Sequence, residues 1–347
     1  TTAASVTTAA PATTAGSATT VAPATTAASD TTVAPAPGGL DLSGAAGDVF
    51  VTGSSTVEPI SIKVGELARD LTGGKLAVTV EGPGTGDGFK TFCAGEADVA
   101  DASRKIKDEE AATCATNGIE YVELAVAIDG LTVATSPVNT AVECLDTKAL
   151  YALLGPESEG VVKKWSDAKA LATELGSKHA EALPDADLVV TGPGEESGTY
   201  DSFVEFAIAS IAKEREQESV VRADYASSGN DNLIVEGIEA SDSSLGWIGY
   251  AFYVGEQSKM RAIAIENKEG ACVVPTDATI ADGSYPFSRT LYIYVNKANA
   301  AANPAVAGYV DLYLSTQGFE QVPAAGYVSL AADKQQASVA AWTAARG

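Results

Sequence analysis

One order of elements recurs along this chain: an alternating apolar run, then a loop of Gly, Ser and Thr, then a helical face. Residues 48–52 (DVFVT) read as a strand and lead into GSST (53–56). From Glu58 onward Ile60, Val64, Leu67, Ala68 and Leu71 fall on one helical face, and Gly73-Gly74 stops it. In KLAVTVEG the residues Leu76, Val78 and Val80 alternate; GPGTGDG (82–88) follows, then a short helix around Phe89, Phe92 and Cys93. ADVADASR is a third short strand ending in a polar turn, and YVELAVAIDGLTVATSP (121–137) reads as a long bent strand. A polar helical stretch is expected at roughly 164–182, with His179 on its solvated face. DLVVTGPGEESGTYDSF repeats the strand, loop and helix order, GNDNLIVEGIEASDSSLGWIGYAFY gives a helix then a strand, TLYIYVNK alternates again, and the C-terminus is helical. Such alternation predicts α/β layers with mostly parallel strands. Ligands of those folds sit beyond the carboxyl ends of the strands, where these loops fall.

Charge excludes several partners. The 347 residues carry a formal charge of −24, so nucleic acid is not expected, because phosphate backbones need a basic surface. Docking on anionic lipid by charge is excluded on the same ground. No run of 18 or more apolar residues occurs, so no transmembrane segment is expected. With 46% hydrophobic residues the chain can build real cores.

The beginning is different in kind. Residues 1–46 are dominated by Thr, Ala, Val, Pro, Ser and Gly; the first aromatic is Phe50 and the first basic residue Lys63. Such a segment cannot bury enough apolar area to offset its ordering entropy, and reads as a disordered stalk of the extracellular kind. The four cysteines agree with an exported protein. Cys93, Cys114, Cys144 and Cys272 form no C-x-x-C and His179 is the sole histidine, so no zinc site is expected. Four cysteines allow three pairings. The short local closure favours Cys93–Cys114, leaving Cys144–Cys272, each contributing about 2–4 kcal/mol; four buried thiols are the alternative.

The chemistry lies in four loops: GSST (53–56), GTGDG (84–88), ASR (102–104) and SGT (197–199). Glycine lets backbone approach a ligand, helix starts present unpaired N–H groups, and Ser and Thr add hydroxyl donors. Together these make an oxyanion site that needs no net positive charge. One such loop is usually just a helix cap; four in one chain point to a shared ligand. Arg104 is the single basic residue within them, either a bidentate contact to the oxyanion or one half of a surface salt bridge. GPGTGDG lacks the Lys-Ser/Thr ending of a nucleotide loop, and GTGDGF lacks the full G-x-G-x-x-G. One histidine and no nucleophile–base set leave no catalytic residues to assign.

The blocks GSSTVEPI, GPGTGDGFKTFCAGEADVADASRKIKDEE, YVELAVAIDGLTVAT, GPGEESGTYDSF and SSGNDNLIVEGI…LGWIGYAFY resemble, in order from about 48 to 330, the PstS-type phosphate-binding protein family of bacterial ABC phosphate importers. The resemblance implies a two-lobed Venus-flytrap periplasmic-binding-protein fold (type II). Each lobe would be a mixed β-sheet flanked by helices, with one phosphate in the cleft and no cofactor. Lobe I would take 47–130 and 288–347, lobe II 131–287. By position, Ser55, Thr56, Thr85, Ser103 and Arg104 would bind phosphate from lobe I, Ser197, Gly198 and Thr199 from lobe II, with Asn230 and Glu196 beside the cleft. Enteric-type members carry Asp where this chain has Arg104 and Arg where it has Pro193, so the positive charge moves between lobes. The carboxylate that would accept the proton of phosphate, and so reject sulfate, stays open among Glu196, Asp87 and Asp101.

The family further implies permease subunits of an ABC importer as partners. It also implies a monomer outside the cytoplasm at a bacterial cell surface, anchored by a lipid on a residue upstream of Thr1. A binder of sulfate, molybdate or another oxyanion is the nearest alternative, and a surface phosphatase or adhesin on the same fold a more distant one.

Overall fold

The structure, a computed structural model, describes residues 40–195 and 197–346. Most of the expected stalk, residues 1–39, and the candidate Glu196 lie outside the described residues.

The first half is built from β1 (Gly47–Gly53), α1 (Glu58–Thr72), β2 (Leu76–Glu81), α2 (Thr85–Cys93), β3 (Val99–Ala102), α3 (Asp108–Thr116) and the long β4 (Tyr121–Thr135). Beyond it come β5 (Cys144–Leu145), β6 (Val189–Gly192), β7 (Ala226–Ser227), β8 (Ser244–Gly249), β9 (Arg261–Ala262), β10 (Ala264–Glu266), β11 (Cys272–Val273) and the returning β12 (Ser288–Asn296). Among the described residues the main sheet has nine strands in the order β2-β1-β3-β12-β4-β8-β6-β7, with β9 on β4; β11-β10-β5 form a smaller sheet.

The strands are mixed rather than mostly parallel. β1 runs parallel to β2 and β3, and β6 to β7 and β8, but β12 is antiparallel to both β3 and β4, and β4 is antiparallel to β8. The difference has a physical cause. β4 and β12 carry the chain from one half of the molecule to the other and back, so they must oppose each other. Residues Tyr121–Gly130 of β4 pair with β12, whereas Leu131–Ala134 pair with β8.

Two apolar cores follow from this path. One gathers Val49, Val51, Ile60, Val64, Leu124, Leu291, Ile293, Val295, Tyr309 and Trp342. The other gathers Leu131, Val133, Leu150, Trp165, Phe203, Trp247, Ile248 and Phe287. Each fully buried Val, Leu, Ile or Phe side chain adds about 1.5–3 kcal/mol. The chain thus has the two-lobed architecture of a periplasmic binding protein. A small third cluster of Phe89, Phe92 and Tyr294 surrounds the Cys93–Cys114 disulfide; the second disulfide joins Cys144 to Cys272.

The stretch at 164–182 is not one polar helix. A 3-10 turn (Trp165–Ala168) with a fully buried Trp165 leads into a short helix (Lys169–Glu174), and a separate 3-10 turn spans Ala180–Ala182. The break turns His179 away from the solvated face expected of it. Its side chain is only 16% exposed and its Nε2 lies 2.9 Å from Glu266 Oε2. Nothing local in the sequence announces this partner, which is 87 residues away.

Candidate functional site

Three loops of the first lobe meet at the carboxyl ends of their strands because glycine lets the backbones touch. Gly53 has φ +144°, and a Cβ there would stand 2.1 Å from the carbonyl oxygen of Asp101. A Cβ on Gly88 would stand 2.3 Å from Gly53 Cα. Backbone hydrogen bonds tie the same loops: Ser54 N–H donates to Asp101 O (2.9 Å) and Gly84 N–H to Gly53 O (2.8 Å). Only glycine fits where backbones come this close.

This contact gathers buried hydroxyls. Thr85 Oγ1 lies 3.0 Å from Ser103 Oγ and accepts the Ser103 N–H at 3.1 Å. Ser54 Oγ accepts the N–H of Thr56 (3.2 Å) ahead of α1. Ser54, Thr56, Thr85 and Ser103 are all buried.

The second lobe reaches the same place. A Cβ on Gly198 would stand 3.3 Å from Ser55 O, 3.4 Å from Thr56 Cα and 3.4 Å from Tyr327 Oη. Ser197 caps its helix by accepting the Thr199 N–H (3.2 Å). Ser55 Oγ donates across to Asp201 Oδ2 at 2.5 Å. Of the residues singled out by sequence, Ser55, Thr56, Thr85, Ser103 and Gly198 are therefore drawn together. Asn230 is exposed and caps its own helix by accepting the Asn232 N–H (3.0 Å). Asp87 is exposed and paired with Lys90.

Arg104 is braced. Its two terminal nitrogens each donate to Glu110 at 2.8 Å, and its guanidinium lies 5.6 Å from the Phe89 ring centre. The hydrogen bonds to Glu110 raise the Arg104 guanidinium above its ordinary range. Nη2 stands 3.9 Å from the Cβ position of Gly86, so the charge sits over the GTGDG loop. Of the two sequence alternatives the salt bridge is present, with Glu110 as the partner, and the guanidinium stands beside the GTGDG loop.

A second cation escaped the sequence reading. Arg289, on β12, donates to Thr56 Oγ1 (3.1 Å), Ser202 Oγ (2.9 Å) and Asp129 Oδ2 (3.3 Å), and pairs with Glu205. Asp129 is buried on β4 and also accepts from Ser202 (2.7 Å). Arg289 also lies 5.0 Å from the Phe206 ring centre. Neither residue stands in a Gly/Ser loop, and their strands are far apart in sequence, so only strand pairing brings them together. Ser103, Arg104, Arg289, Phe206 and Tyr292 line one cavity of about 530 Å³. Ser55, Glu58, Gly198 and Asp201 line another of about 690 Å³.

Asp101 is not in the cleft. It is fully buried behind the loops, where Ser61 Oγ donates to its Oδ1 (3.0 Å) and its Oδ2 has no partner among the described residues. Desolvation pushes its carboxyl up to about 8; the Ser61 bond opposes this and the nearby Glu58 charge adds to it. Tyr309 and Tyr313 pack beside it with hydroxyls raised well above their ordinary range by burial. Between the ordinary value of 3.8 and about 8 the folded chain holds a proton that the unfolded chain has lost. Stability from this group is therefore full at low pH and lost as pH rises through that window, by at most about 1.4 kcal/mol per pH unit. Asp101→Asn is expected to flatten the fall in urea midpoint between about pH 5 and 8. An unchanged slope would place the pH dependence elsewhere.

Fold and loops together define a two-lobed protein of the periplasmic-binding-protein class, whose Gly/Ser/Thr loops meet where the lobes meet. The family model for the PBP superfamily domain matches residues 7–317. Within that superfamily the chain belongs to the PstS-type phosphate-binding protein family. It is 34% identical over 295 residues to the phosphate-binding protein PstS of Staphylococcus aureus, covering 84% of this chain and 81% of that protein. It is 36% identical over 270 residues to Protein SphX of a Synechocystis species, covering 77% and 74%. The crystal structure of a "possible phosphate binding protein" from Planctomyces limnophilus superposes with a TM-score of 0.77 at 36% identity, over 87% of this chain and 99% of that one.

Proposed function

We propose that this chain captures inorganic phosphate between its lobes and delivers it to the membrane permease subunits of an ABC importer, without catalysis. The observation that carries the reading is the meeting of four loops: hydroxyls of Ser55, Thr56, Thr85 and Ser103 from one lobe, and the Ser197–Thr199 turn closing on them from the other. Membership of the PstS-type family supports phosphate as the ligand. We assign lobe I to 47–130 and 288–347 and lobe II to 131–287, in keeping with the two apolar cores. Ser55, Thr56, Thr85, Ser103, Ser197, Gly198 and Thr199 hold the oxyanion in this reading. Arg104 supplies a charge-assisted bond from a guanidinium held in place by Glu110. The chain is acidic overall, with a formal charge of −24, but salt screens charge beyond roughly 8–10 Å, so local donors decide. We place the protein outside the cytoplasm, as a monomer tethered to the cell surface by a lipid upstream of residue 1. Membership of the PstS-type family supports this placement; among the described residues no helix is long and apolar enough to cross a membrane.

Phosphate keeps a proton at neutral pH and sulfate does not. We assign its acceptor to Asp201, which faces Ser55 across the cleft. A carboxylate there welcomes the P–OH and repels sulfate. Calorimetric titration should show phosphate binding one to one and sulfate at least about a hundredfold more weakly, the cost of one mismatched charged contact. Asp201→Asn should narrow that gap. Equal affinities in the wild type would sink the phosphate reading. An undiminished preference in Asp201→Asn would move the acceptor elsewhere.

A further inference from the structure

Outside the cleft loops, the small β11-β10-β5 sheet and the turn before Ala180 collect four side chains with metal-binding atoms. Cys144 stands on β5, Glu266 on β10 and Cys272 on β11; Glu266 and Cys272 are register partners. His179 arrives from the turn before Ala180, held by its N–H to Ser177 Oγ (3.1 Å). Its Nε2 lies 3.8 Å from Cys144 Sγ and 2.9 Å from Glu266 Oε2. The ligand atoms of Cys144, His179 and Cys272 all lie within 4.8 Å of one another. Ligands on a tetrahedral zinc ion, bound at about 2.0–2.3 Å, stand roughly 3.3–3.8 Å apart. His179 Nε2 thus already stands at a zinc-ligand spacing from Cys144 Sγ; the two sulfurs, joined in the disulfide, would part on reduction, and Glu266, whose Oε1 pairs with Lys178 Nζ (2.6 Å), offers Oε2 as the fourth ligand.

We propose that this cluster is a latent zinc site, masked by the Cys144–Cys272 disulfide and opened by its reduction. Disulfide sulfurs are poor ligands, whereas two thiolates, an imidazole and a carboxylate form a donor set that zinc favours. The sequence alone predicts no zinc site, because the cysteines form no C-x-x-C and a single histidine is present. Neither spacing matters once strand pairing brings residues 144, 179, 266 and 272 together.

The chemistry balances with a dithiol as reductant. Its two sulfurs lose two electrons and two protons and join as a disulfide. The Cys144–Cys272 bond takes both electrons and both protons and becomes two thiols. Zn²⁺ then binds both sulfurs and displaces their two protons, with His179 Nε2 and Glu266 filling the tetrahedron.

Exposure makes the step selective. Cys272 is exposed and Cys144 half-buried, whereas Cys93 and Cys114 are both buried at the Phe89–Phe92 cluster. A dithiol therefore reaches Cys144–Cys272 first. No second group of three such ligands occurs among the described residues.

The test uses the whole chain. It is treated with dithiothreitol until two thiols appear, desalted without oxygen, and titrated with Zn²⁺ against a chromogenic chelator. Peptide mapping should place both new thiols at Cys144 and Cys272. Reduced wild type should bind one Zn²⁺ per chain and oxidised wild type none. Cobalt in place of zinc should give a thiolate-to-metal band in the near ultraviolet. His179→Ala and Glu266→Ala should each weaken zinc binding at least about tenfold, and circular dichroism would report whether each variant is folded. Absence of zinc from the reduced wild type would overturn the proposal. So would equal zinc affinity in a folded His179→Ala, or a cobalt complex without the thiolate band. Phosphate titration is not a readout here, so failure of the zinc site leaves the phosphate reading untouched.

Discussion

Gly53→Ala is expected to cost about 3 kcal/mol of stability and to weaken phosphate binding at least about a hundredfold. The added methyl would lie 2.1 Å from the Asp101 carbonyl oxygen, and backbone cannot rotate away as a side chain can. A φ of +144° is closed to alanine in any case. Relief requires β1 and β3 to part at the Gly53–Asp101 pair, which also breaks the Ser54 N–H to Asp101 O bond. The GSST loop then moves off the Thr85–Ser103 pair, and two or more donors lose their place together. Urea denaturation and calorimetry measure the two effects separately. A variant with wild-type affinity would show that the loop is not part of the oxyanion site.

Arg289→Ala ranks next. Asp129 is buried, and its ion pair with Arg289 is largely shielded, with side chains 8% and 15% exposed. Removing one partner of such a pair leaves an uncompensated charge and costs about 3 kcal/mol or more. The Ser202 hydroxyl remains to Asp129 and places the effect at the lower end. Thr56 loses the donor that orients its hydroxyl, so phosphate affinity should fall about tenfold as well. Arg289→Lys keeps the charge but not the fork, and should restore stability more than affinity. The check is a urea midpoint with and without phosphate. A wild-type midpoint for Arg289→Ala would make the pair a surface contact.

These two residues mark different depths of legibility. Gly53 stands in a stretch whose local signals agree: an apolar strand, a glycine, hydroxyls, then a helix with Pro59 in its first turn. Each signal acts within a few residues, so the β1–α1, β2–α2 and β3 units could be read without coordinates. The same holds for the Thr85–Ser103 loops, and for Cys93 and Cys114, whose 21-residue separation is short. Arg289 and Asp129 sit in alternating strands that carry no loop signal. Their meeting depends on antiparallel pairing of β12 with β4 across 160 residues.

Pairing of that range also explains the sheet. Local patterns define strands but not their direction, because a strand alternates alike in parallel and antiparallel company. The expectation of mostly parallel strands failed where β4 and β12 cross between lobes. His179 failed for a related reason: its polar surroundings in sequence described a solvated face, while Glu266 and Cys144 reach it through β10 and β5.

By itself, then, the sequence determined the α/β class, the loops that gather hydroxyls and the family, because these depend on residues close together in the chain. The tertiary structure alone decided that Arg289 joins the buried Asp129 beside the Thr56 hydroxyl, that Asp101 is buried behind the loops, and that Cys144, His179, Glu266 and Cys272 form one cluster. Each of those outcomes depends on which distant strands exchange hydrogen bonds, and backbone hydrogen bonds carry no side-chain signature to read in advance.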